Sequence, residues 1–245
     1  MNNTSSQRWL KCDFHIHTRF SDGKLTIPEV IDFYGQNGFD VIAITDHFFD
    51  NRTLEGLIAK KFLKRSLNEK NLPAYYNAIN EASRYAIDKY NMTVITGIEV
   101  CFAYRYHILA LGMQEPFKSS YIRRDPKKTF KKLRDLNCQI IVACHPGHKK
   151  DKSRTINLLK RAIHERYLWK NRKKIAPLID AWEIANRYDL FNDIGLEFFP
   201  FVANSDFHKP KDIYSWKTLI NAEPNLPSIK EAIKNGRVAL SLFRK

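Results

Sequence analysis

Histidines and acidic residues recur in this chain at the ends of short apolar segments. Five of the eight histidines lie at or just beyond the end of a predicted strand: His15, His17, His47, His145 and His208. The carboxylates of Asp22, Glu99 and Asp206 lie at strand ends or in the loops that follow. Imidazole and carboxylate without thiolate are suitable ligands for zinc, manganese or iron. The pattern therefore predicts a metal site, and it does not distinguish among these metals.

The first predicted strand ends in a segment that can contribute two ligands. Because side chains alternate along a strand, Asp13, His15 and His17 are expected to point together into the fold. Phe14 and Ile16 are then expected to face the surrounding helices. Two histidines two residues apart on one face can bind a single ion.

A single histidine at a strand end is more often an ordinary core residue than a metal ligand. Here the spacing occurs twice, because Asp206-Phe207-His208 repeats it near the other end of the chain. Eight or nine such polar groups converge on one rim. Their burial would be costly without an ion to satisfy them. The combination therefore favours metal binding over a structural role.

The elements that would position these residues alternate along the chain. Short apolar segments followed by helical ones predict β-α units and a parallel sheet. The predicted strands are Trp9–Phe14, Phe39–Ile44, Thr93–Ile98, His107–Met113, Gln139–Ala143, Asp180–Ala185, Phe199–Ala203 and Arg237–Leu242. In barrels and open parallel sheets, active sites form at the C-terminal ends of the strands. The length of 245 residues and the lack of a long linker predict one domain, 1–245.

Composition excludes several classes of protein. Hydrophobic residues make up 44% of the chain, which is too many for a disordered protein. No apolar run reaches the roughly 20 residues that a membrane span needs, and no secretory signal is recognisable. Four cysteines without a repeated spacing indicate reduced, buried thiols. We therefore expect a cytoplasmic protein that does not bind a membrane.

The basic excess is confined to two segments. Segments 118–135 and 146–175 together carry the whole formal net charge of +15. Such a concentration can mark the binding site of an anionic partner such as nucleic acid. It can equally be the solvated face of lysine-rich helices, and the sequence leaves both interpretations open.

Taken together, the motifs resemble those of the PHP family, named for polymerase and histidinol phosphatase. The matching segments are Asp13-Phe14-His15-Ile16-His17-Thr18, Ser21-Asp22-Gly23, Ile44-Thr45-Asp46-His47, Gly97-Ile98-Glu99, His107-Ile108-Leu109-Ala110-Leu111-Gly112, Ala143-Cys144-His145-Pro146 and Asn204-Ser205-Asp206-Phe207-His208. They occur in the family's order and span about residues 10–210. The chain is most similar to the short, stand-alone bacterial members.

This resemblance implies a distorted seven-stranded (β/α) barrel, similar to a TIM barrel, with a trinuclear site at the C-terminal ends of the strands. It implies that one ion is held by His15, His17, Glu99 and Asp206. It implies a second ion held by Glu99, His107 and His145, and a third held by Asp22, His47 and His208. Two to three divalent ions of zinc, manganese or iron are expected. Only the resemblance identifies His107, which lies near the start of its predicted strand.

Other residues near the motifs have weaker indications. Asp46 and Asp13 could orient ligands through hydrogen bonds. Arg19, His148 and Lys149 could contact a phosphate. The thiols near the motifs are expected to be small buried apolar groups. Glu183 and Asn186 end a predicted strand, and the sequence suggests no role for them.

The expected activity is hydrolysis of a phosphate ester by metal-bound hydroxide, because divalent ions activate water and stabilise phosphoryl charge. We expect a hydrolase acting on a small phosphomonoester or a nucleotide. The alternative is an exonuclease that grips DNA or RNA ends through segments 118–135 and 146–175. A non-catalytic PHP binding domain is a third possibility, disfavoured because all nine ligand positions match the family.

Overall fold

A single mixed sheet forms the frame of the molecule. The computed structural model describes residues 8–50, 65–102, 106–146 and 167–245. In these ranges the sheet contains β1 (Trp9–Ile16), β2 (Val41–Ile44), β3 (His47–Phe49), β4 (Thr93–Phe102), β5 (Tyr106–Leu111), β6 (Ile140–Ala143), β7 (Ala181–Asn186), β8 (Asp189–Leu190), β9 (Phe201–Asn204), β10 (Trp216–Asn221) and β11 (Val238–Leu242). Its hydrogen-bonded order is β11-β10-β1-β2-β4-β5-β6-β7-β8, with β3 paired to β4 and β9 paired to β7.

The sheet is curled, and its strand directions differ from the prediction. β5 is antiparallel to both β4 and β6, and β10 and β11 extend the sheet from β1 in antiparallel pairs. The prediction of a parallel sheet was therefore wrong for these strands. The sheet curls far enough that the ends of β9 and β1 meet through a bridge between Ile16 and Phe207. The result is an α/β half-barrel whose main path has nine strands, so the predicted count of seven is not confirmed.

Helices pack against the sheet. They are α1 (Ile27–Gln36), α2 (Leu72–Tyr90), α3 (Pro126–Asp135), α4 (Tyr167–Lys170), α5 (Arg172–Ile175), α6 (Asp193–Leu196) and α7 (Leu226–Lys234). A capping box begins α1, with Thr26 and Glu29 each accepting from the other's backbone N–H group. Asp125 caps α3 by accepting from the N–H of Lys127, and Pro126 follows at its first position. The sequence after the second predicted strand is polar at 48–72 and predicts an insertion long enough to be a lid or rim; its residues 51–64 lie outside the described ranges.

Strand alternation divides the core into two layers. Val41 and Ala43 of β2 belong to an inner cluster, whereas Ile42 and Ile44 belong to an outer cluster that packs against the helices. Ile229 of α7 joins the inner cluster, so α7 differs from α1 and α2 in packing against it. The inner layer fills the sheet's concave side with apolar groups, so the polar residues at the strand ends are buried above it.

An irregularity in β1 changes which way its side chains point. Asp13 pairs with Ile42 and Ile16 pairs with Ile44, so β1 places one more residue than β2 between these pairs. Phe14 consequently joins the inner cluster, while Asp13 accepts a hydrogen bond from Tyr34 of α1 at 2.9 Å. The expectation that Asp13 points inward and Phe14 outward was therefore wrong. Ile16 does face the outer cluster as predicted.

Among the described helices, none combines the length and the apolar character that crossing a membrane requires.

Candidate metal centre

The nine predicted ligands lie together at one end of the sheet. Their donor atoms form three groups, each with atoms within 4.8 Å of one another. The groups are Glu99, His107 and His145; His15, His17 and Asp206; and His17, Asp22, His47 and His208, the last two sharing His17. Two further groups combine Glu99 and a histidine with a thiol, that of Cys144 beside His15 and that of Cys101 beside His47. The structure thus brings together residues that are up to 193 positions apart in the chain. That they hold ions remains a prediction.

Glu99 of β4 lies at the centre of these groups. Its carboxylate is buried, and five histidine nitrogens surround its two oxygens. The distances are 2.9 Å from Oε1 to His107 Nδ1, 3.5 Å from Oε1 to His145 Nε2, 2.6 Å from Oε2 to His47 Nδ1, 3.4 Å from Oε2 to His15 Nε2 and 3.5 Å from Oε2 to His17 Nε2. A carboxylate in this position can bridge two ions.

His107 reaches the centre because β5 runs against its neighbours. An antiparallel strand begins at the edge where parallel strands end, so the start of β5 lies beside the end of β6. Cys101 of β4 pairs with His107 across the sheet. This geometry explains a ligand position that strand-end reasoning could not place.

The second carboxylate, Asp206, lies between the two histidines of β1. Its Oδ1 is 3.3 Å from His17 Nε2 and 3.6 Å from His15 Nε2. Asp22 lies on the other side of His17, with its Oδ1 3.5 Å from His47 Nε2 and 3.2 Å from His208 Nε2. The imidazoles therefore alternate with carboxylate oxygens through the whole cluster.

Several buried nitrogen and oxygen atoms in this cluster make no hydrogen bond of acceptable geometry in the described part of the chain, although His47 Nδ1 lies 2.6 Å from Glu99 Oε2. They are His15 Nε2, His17 Nδ1, His17 Nε2, Asp22 Oδ1 and Glu99 Oε2. Each such atom costs about 1–3 kcal/mol of desolvation if nothing satisfies it. Nitrogen and oxygen donors of this kind are ligands of divalent transition metals. The residues present therefore fit the ions that the motifs imply.

Burial and neighbouring charges shift the pKa values of the predicted ligands in both directions. Burial, together with the neighbouring His47 and His208, lowers the pKa of His17 to about 3, so His17 is neutral. Burial opposes ionisation of Glu99, yet the surrounding histidines hold its pKa well below the usual value. Burial also opposes protonation of His208, but the carboxylates of Asp206 and Asp22 raise its pKa to about 9. Ionised carboxylates in the cluster therefore lie beside histidines whose pKa values are shifted in opposite directions, downward for His17 and upward for His208.

Backbone strain concentrates where the strands end at this site. His145 follows β6 with φ 29°, Arg187 follows β7 with φ 53°, and Asp206 follows β9 with φ 49°. Residues other than glycine adopt this left-handed region at a cost of about 1–3 kcal/mol each. Three such residues at adjacent strand ends indicate that the interactions of their side chains at the site outweigh the strain of their backbone conformations.

Asp46 supports the site through a loop rather than through a ligand side chain. Its buried carboxylate accepts hydrogen bonds from the N–H and Oγ1 of Thr18 at 2.8 and 2.7 Å and from Ser21 Oγ. Thr18 and Ser21 lie between His17 and Asp22, so Asp46 ties down the loop that carries both. Asp46 can orient both residues through this loop, and its orienting role stays a prediction.

Asp13, the other residue predicted to orient a ligand, lies in a separate buried network. It accepts from Tyr34 Oη at 2.9 Å and from the N–H of Ser205 at 3.0 Å. The ammonium group of Lys217, itself fully buried on β10, lies 3.5 Å from its Oδ2. Asp13 therefore anchors β1 and the segment after β9 from the outer side.

The residues predicted to contact phosphate are less informative. Arg19 is exposed, and its Nε donates to the carbonyl of Lys24 at 2.9 Å. His148 and Lys149 lie outside the described residues, as does most of basic segment 146–175. In segment 118–135 the cations at positions 123, 124, 127, 128 and 131 are exposed. Whether either segment meets a partner stays a prediction.

Two site residues had no role assigned from sequence. Glu183 of β7 is buried with its Oε1 3.0 Å from His15 Nδ1. Arg187 lies 3.1 Å from Asp206 Oδ2 and keeps 45% of its side chain exposed. The position of Glu183 at the end of a predicted strand was the only available signal. For Arg187, just beyond that strand, nothing in the local sequence stood out.

The cysteines near the motifs are buried, as expected. Cys101 Sγ lies 3.4 Å from His47 Nδ1. Burial, followed by the nearby charge of Glu99, raises the pKa of the Cys101 and Cys144 thiols well above the usual value. Both are therefore held as uncharged thiols.

Comparison with known proteins agrees with this picture. The family model described as the PHP domain matches residues 13–188. No curated protein matches the chain.

Among solved structures, one similar chain is a two-domain protein from Bacteroides vulgatus containing a predicted PHP-like metal-dependent phosphoesterase. It has 21% identity and a TM-score of 0.65, and the match covers 99% of this chain and 67% of that one. A second is an amidohydrolase from Chromobacterium violaceum. It has 17% identity and a TM-score of 0.49, with 93% and 97% covered. The first similarity shows a shared fold.

Proposed function

Because this chain belongs to the PHP-domain family, we propose that it is a hydrolase that cleaves a phosphate ester with metal-activated water at a trinuclear site. The observation that carries the proposal is the convergence of nine histidine and carboxylate side chains around Glu99, with unpartnered donor atoms among them. We propose a small phosphomonoester or nucleotide as the substrate.

In this proposal the ligands divide into three sets, two of which share the carboxylate of Glu99. His15, His17, Glu99 and Asp206 would hold the first ion, Glu99, His107 and His145 the second, and Asp22, His47 and His208 the third. Divalent ions, when bound, would supply water of lowered pKa and polarise the phosphoryl oxygens. The thiols of Cys101 and Cys144 are held uncharged, so neither is an activated nucleophile. The side chains of the site bind and orient the reactants.

The first test is a substrate panel. We expect hydrolysis of one or more phosphomonoesters in the presence of Mn²⁺, loss of that activity with a chelator, and recovery when the metal is restored. Raising the salt from low to moderate concentration should change the rate little, because a small ester displaces few counterions.

The same panel includes an end-labelled oligonucleotide, since the exposed cations of segment 118–135 favour nuclease activity as the alternative. Activity confined to the oligonucleotide, with a steep fall as salt increases, would establish a nuclease instead. Failure of every phosphate ester with the metal-loaded protein would refute the proposed function.

Arg187 is the side chain we propose as a contact to the substrate phosphate. Its contacts with Asp206 Oδ2, the Asp206 carbonyl and His208 Nδ1 all involve Nη2. Nearly half of the side chain stays exposed on the rim beside the metal centre. A guanidinium can bind a phosphate with two parallel N–H donors, which a lysine cannot do.

We therefore expect Arg187→Ala to lower kcat/KM for a phosphomonoester by about 10- to 100-fold, the loss of one or two charge-assisted hydrogen bonds. Arg187→Lys should recover part of it. Arg172→Ala is the matched control, because Arg172 also pairs with a carboxylate at the surface, that of Glu197. Metal content should stay at the wild-type level in all three variants. Unchanged kcat/KM in Arg187→Ala would remove Arg187 from the proposal.

A further inference from the structure

Glu183 is a buried carboxylate that the proposed reaction leaves without a task. It lies on β7 with its side chain fully enclosed. Four nitrogen atoms surround its two oxygens: His15 Nδ1 at 3.0 Å and Asn204 Nδ2 at 2.9 Å from Oε1, and the His145 backbone N at 2.7 Å and Asn186 Nδ2 at 2.9 Å from Oε2. A carboxylate has about four acceptor sites, so Glu183 is saturated with donors.

The contact with His15 determines how that imidazole meets an ion. If Nδ1 carries the proton and donates to Glu183, Nε2 is bare and available. Nε2 is the atom that lies 3.4 Å from Glu99 and has no hydrogen-bond partner in the described part of the chain. The other ring nitrogen of a metal-bound histidine commonly donates to a carboxylate in this way.

The contact with His145 acts on the backbone. His145 has φ 29°, a strained value for a residue with a side chain. The hydrogen bond from its N–H to Glu183 holds the chain there. The imidazole is thereby kept with its Nε2 3.5 Å from Glu99 Oε1. One carboxylate of β7 thus reaches a ligand on β1 and a ligand after β6.

We propose that Glu183 is a positioning residue that prepares His15 and His145 as ligands of two neighbouring ions. This inference rests on the proposed metal site. It predicts that His15 meets an ion through Nε2 while its Nδ1–H donates to Glu183.

A purely structural role is the competing explanation, and the same two strands offer a control. Asp180 lies just before β7 and accepts from the N–H of Ile141 on β6 at 2.7 Å. Its other contacts are with Arg134 and Lys230. The contacts of Glu183 within the described ranges include no lysine or arginine. Both carboxylates therefore tie β7 to β6, but only Glu183 touches a predicted ligand.

Glu183→Gln is the sharpest substitution because it preserves the shape of the side chain. A glutamine offers one accepting oxygen and one donating NH₂ group. Whichever way it turns, the NH₂ group faces two donors, either His15 with Asn204 or His145 with Asn186. The variant therefore removes the negative charge of Glu183 and places an N–H donor against one of the two positioning donors, His15 Nδ1 or the His145 N–H.

The experiment measures Zn²⁺ binding by competition with a chromophoric chelator and the protonation of His15 by ¹⁵N NMR of the Zn²⁺-loaded protein. The His15 signal is assigned by its loss in His15→Gln. We expect wild-type His15 to carry a proton on Nδ1 and to bind the ion through Nε2. We expect Glu183→Gln to bind Zn²⁺ about 10- to 100-fold more weakly, the usual effect of removing such a partner. Asp180→Asn should bind as the wild type does, whatever its stability.

Three results would overturn the inference: wild-type His15 protonated on Nε2, wild-type affinity in Glu183→Gln, or equal losses in Glu183→Gln and Asp180→Asn. If Glu183→Gln does not fold, the wild-type tautomer decides alone. Neither readout needs phosphatase activity. Binding without hydrolysis would count against the proposed function, not against Glu183.

Discussion

Replacing Glu99 with glutamine should give a folded protein that holds less than one metal ion per chain and has lost most of its activity. Glu99 is the only side chain that belongs to both the first and the second proposed ligand set, and five histidine nitrogens lie within 3.5 Å of its oxygens. Removing one partner of a buried charge cluster costs about 3–5 kcal/mol. That cost corresponds to a loss of roughly 10²- to 10⁴-fold in activity or affinity.

Elemental analysis and a steady-state assay check this result side by side. Asp22→Asn is the comparison, because Asp22 contacts only the third group, and it should lose less metal and less activity. Glu223 is an exposed glutamate just after the C-terminal end of β10, and Glu223→Gln should match the wild type in metal content and in activity. A fully active Glu99→Gln protein with its metal intact would remove the bridging role from Glu99.

The second large effect concerns stability. Lys217→Ala should lower the free energy of unfolding by about 3–5 kcal/mol, because it leaves the buried carboxylate of Asp13 without its cation. Burial lowers the pKa of Lys217, with Asp13 opposing that shift. Its ammonium also donates to Ser215 Oγ at 2.6 Å and to the carbonyl of Trp216 at 3.2 Å. For a chain of this size the loss corresponds to a fall in Tm of about 6–20 °C.

Chemical denaturation of the metal-free protein measures the effect apart from metal binding. The double variant Lys217→Ala with Asp13→Asn should lose less free energy of unfolding than the sum of the losses in the two single variants, because each single change already removes the same ion pair. Lys230→Ala is the surface control. Its exposed ion pair with Asp180 should contribute no more than about 1 kcal/mol. A loss in Lys217→Ala no greater than in Lys230→Ala would show that the buried pair is not stabilising.

The sequence best predicted which side chains lie together where imidazole or carboxylate groups coincide with strand ends. His15, His17 and His145 follow apolar segments that do form strands, so their convergence at one rim could be expected from any parallel arrangement. His107 could not be placed by that argument, because nothing local reveals that β5 runs in the opposite direction. The family motifs supplied His107, and the antiparallel pairing of β5 supplies the reason.

Other parts of the fold depend on tertiary context that local patterns do not record. The irregularity in β1 puts Asp13 outside and His15 inside although both have the same parity in the sequence. The predicted strands did not include β10, whose second residue, Lys217, is buried against Asp13 instead of being solvated. Glu183 lacked a predicted role because its partners come from β1 and from the residue after β6.

The meeting of β1 and β9 also has a consequence for how the site assembles during folding. Glu99 and His107 are separated by 8 residues and share a hairpin, so their contact closes a short loop. The N–H of Phe14 and Asn204 Oδ1 are separated by 190 residues, and they meet only when the two ends of the chain come together. Contacts this distant in sequence pay a larger loop-closure entropy and form slowly. The group of Glu99, His107 and His145 can therefore form within one stretch of the chain. The groups that contain His15, His17, Asp206 and His208 can form only after β1 and the segment that follows β9 have come into contact.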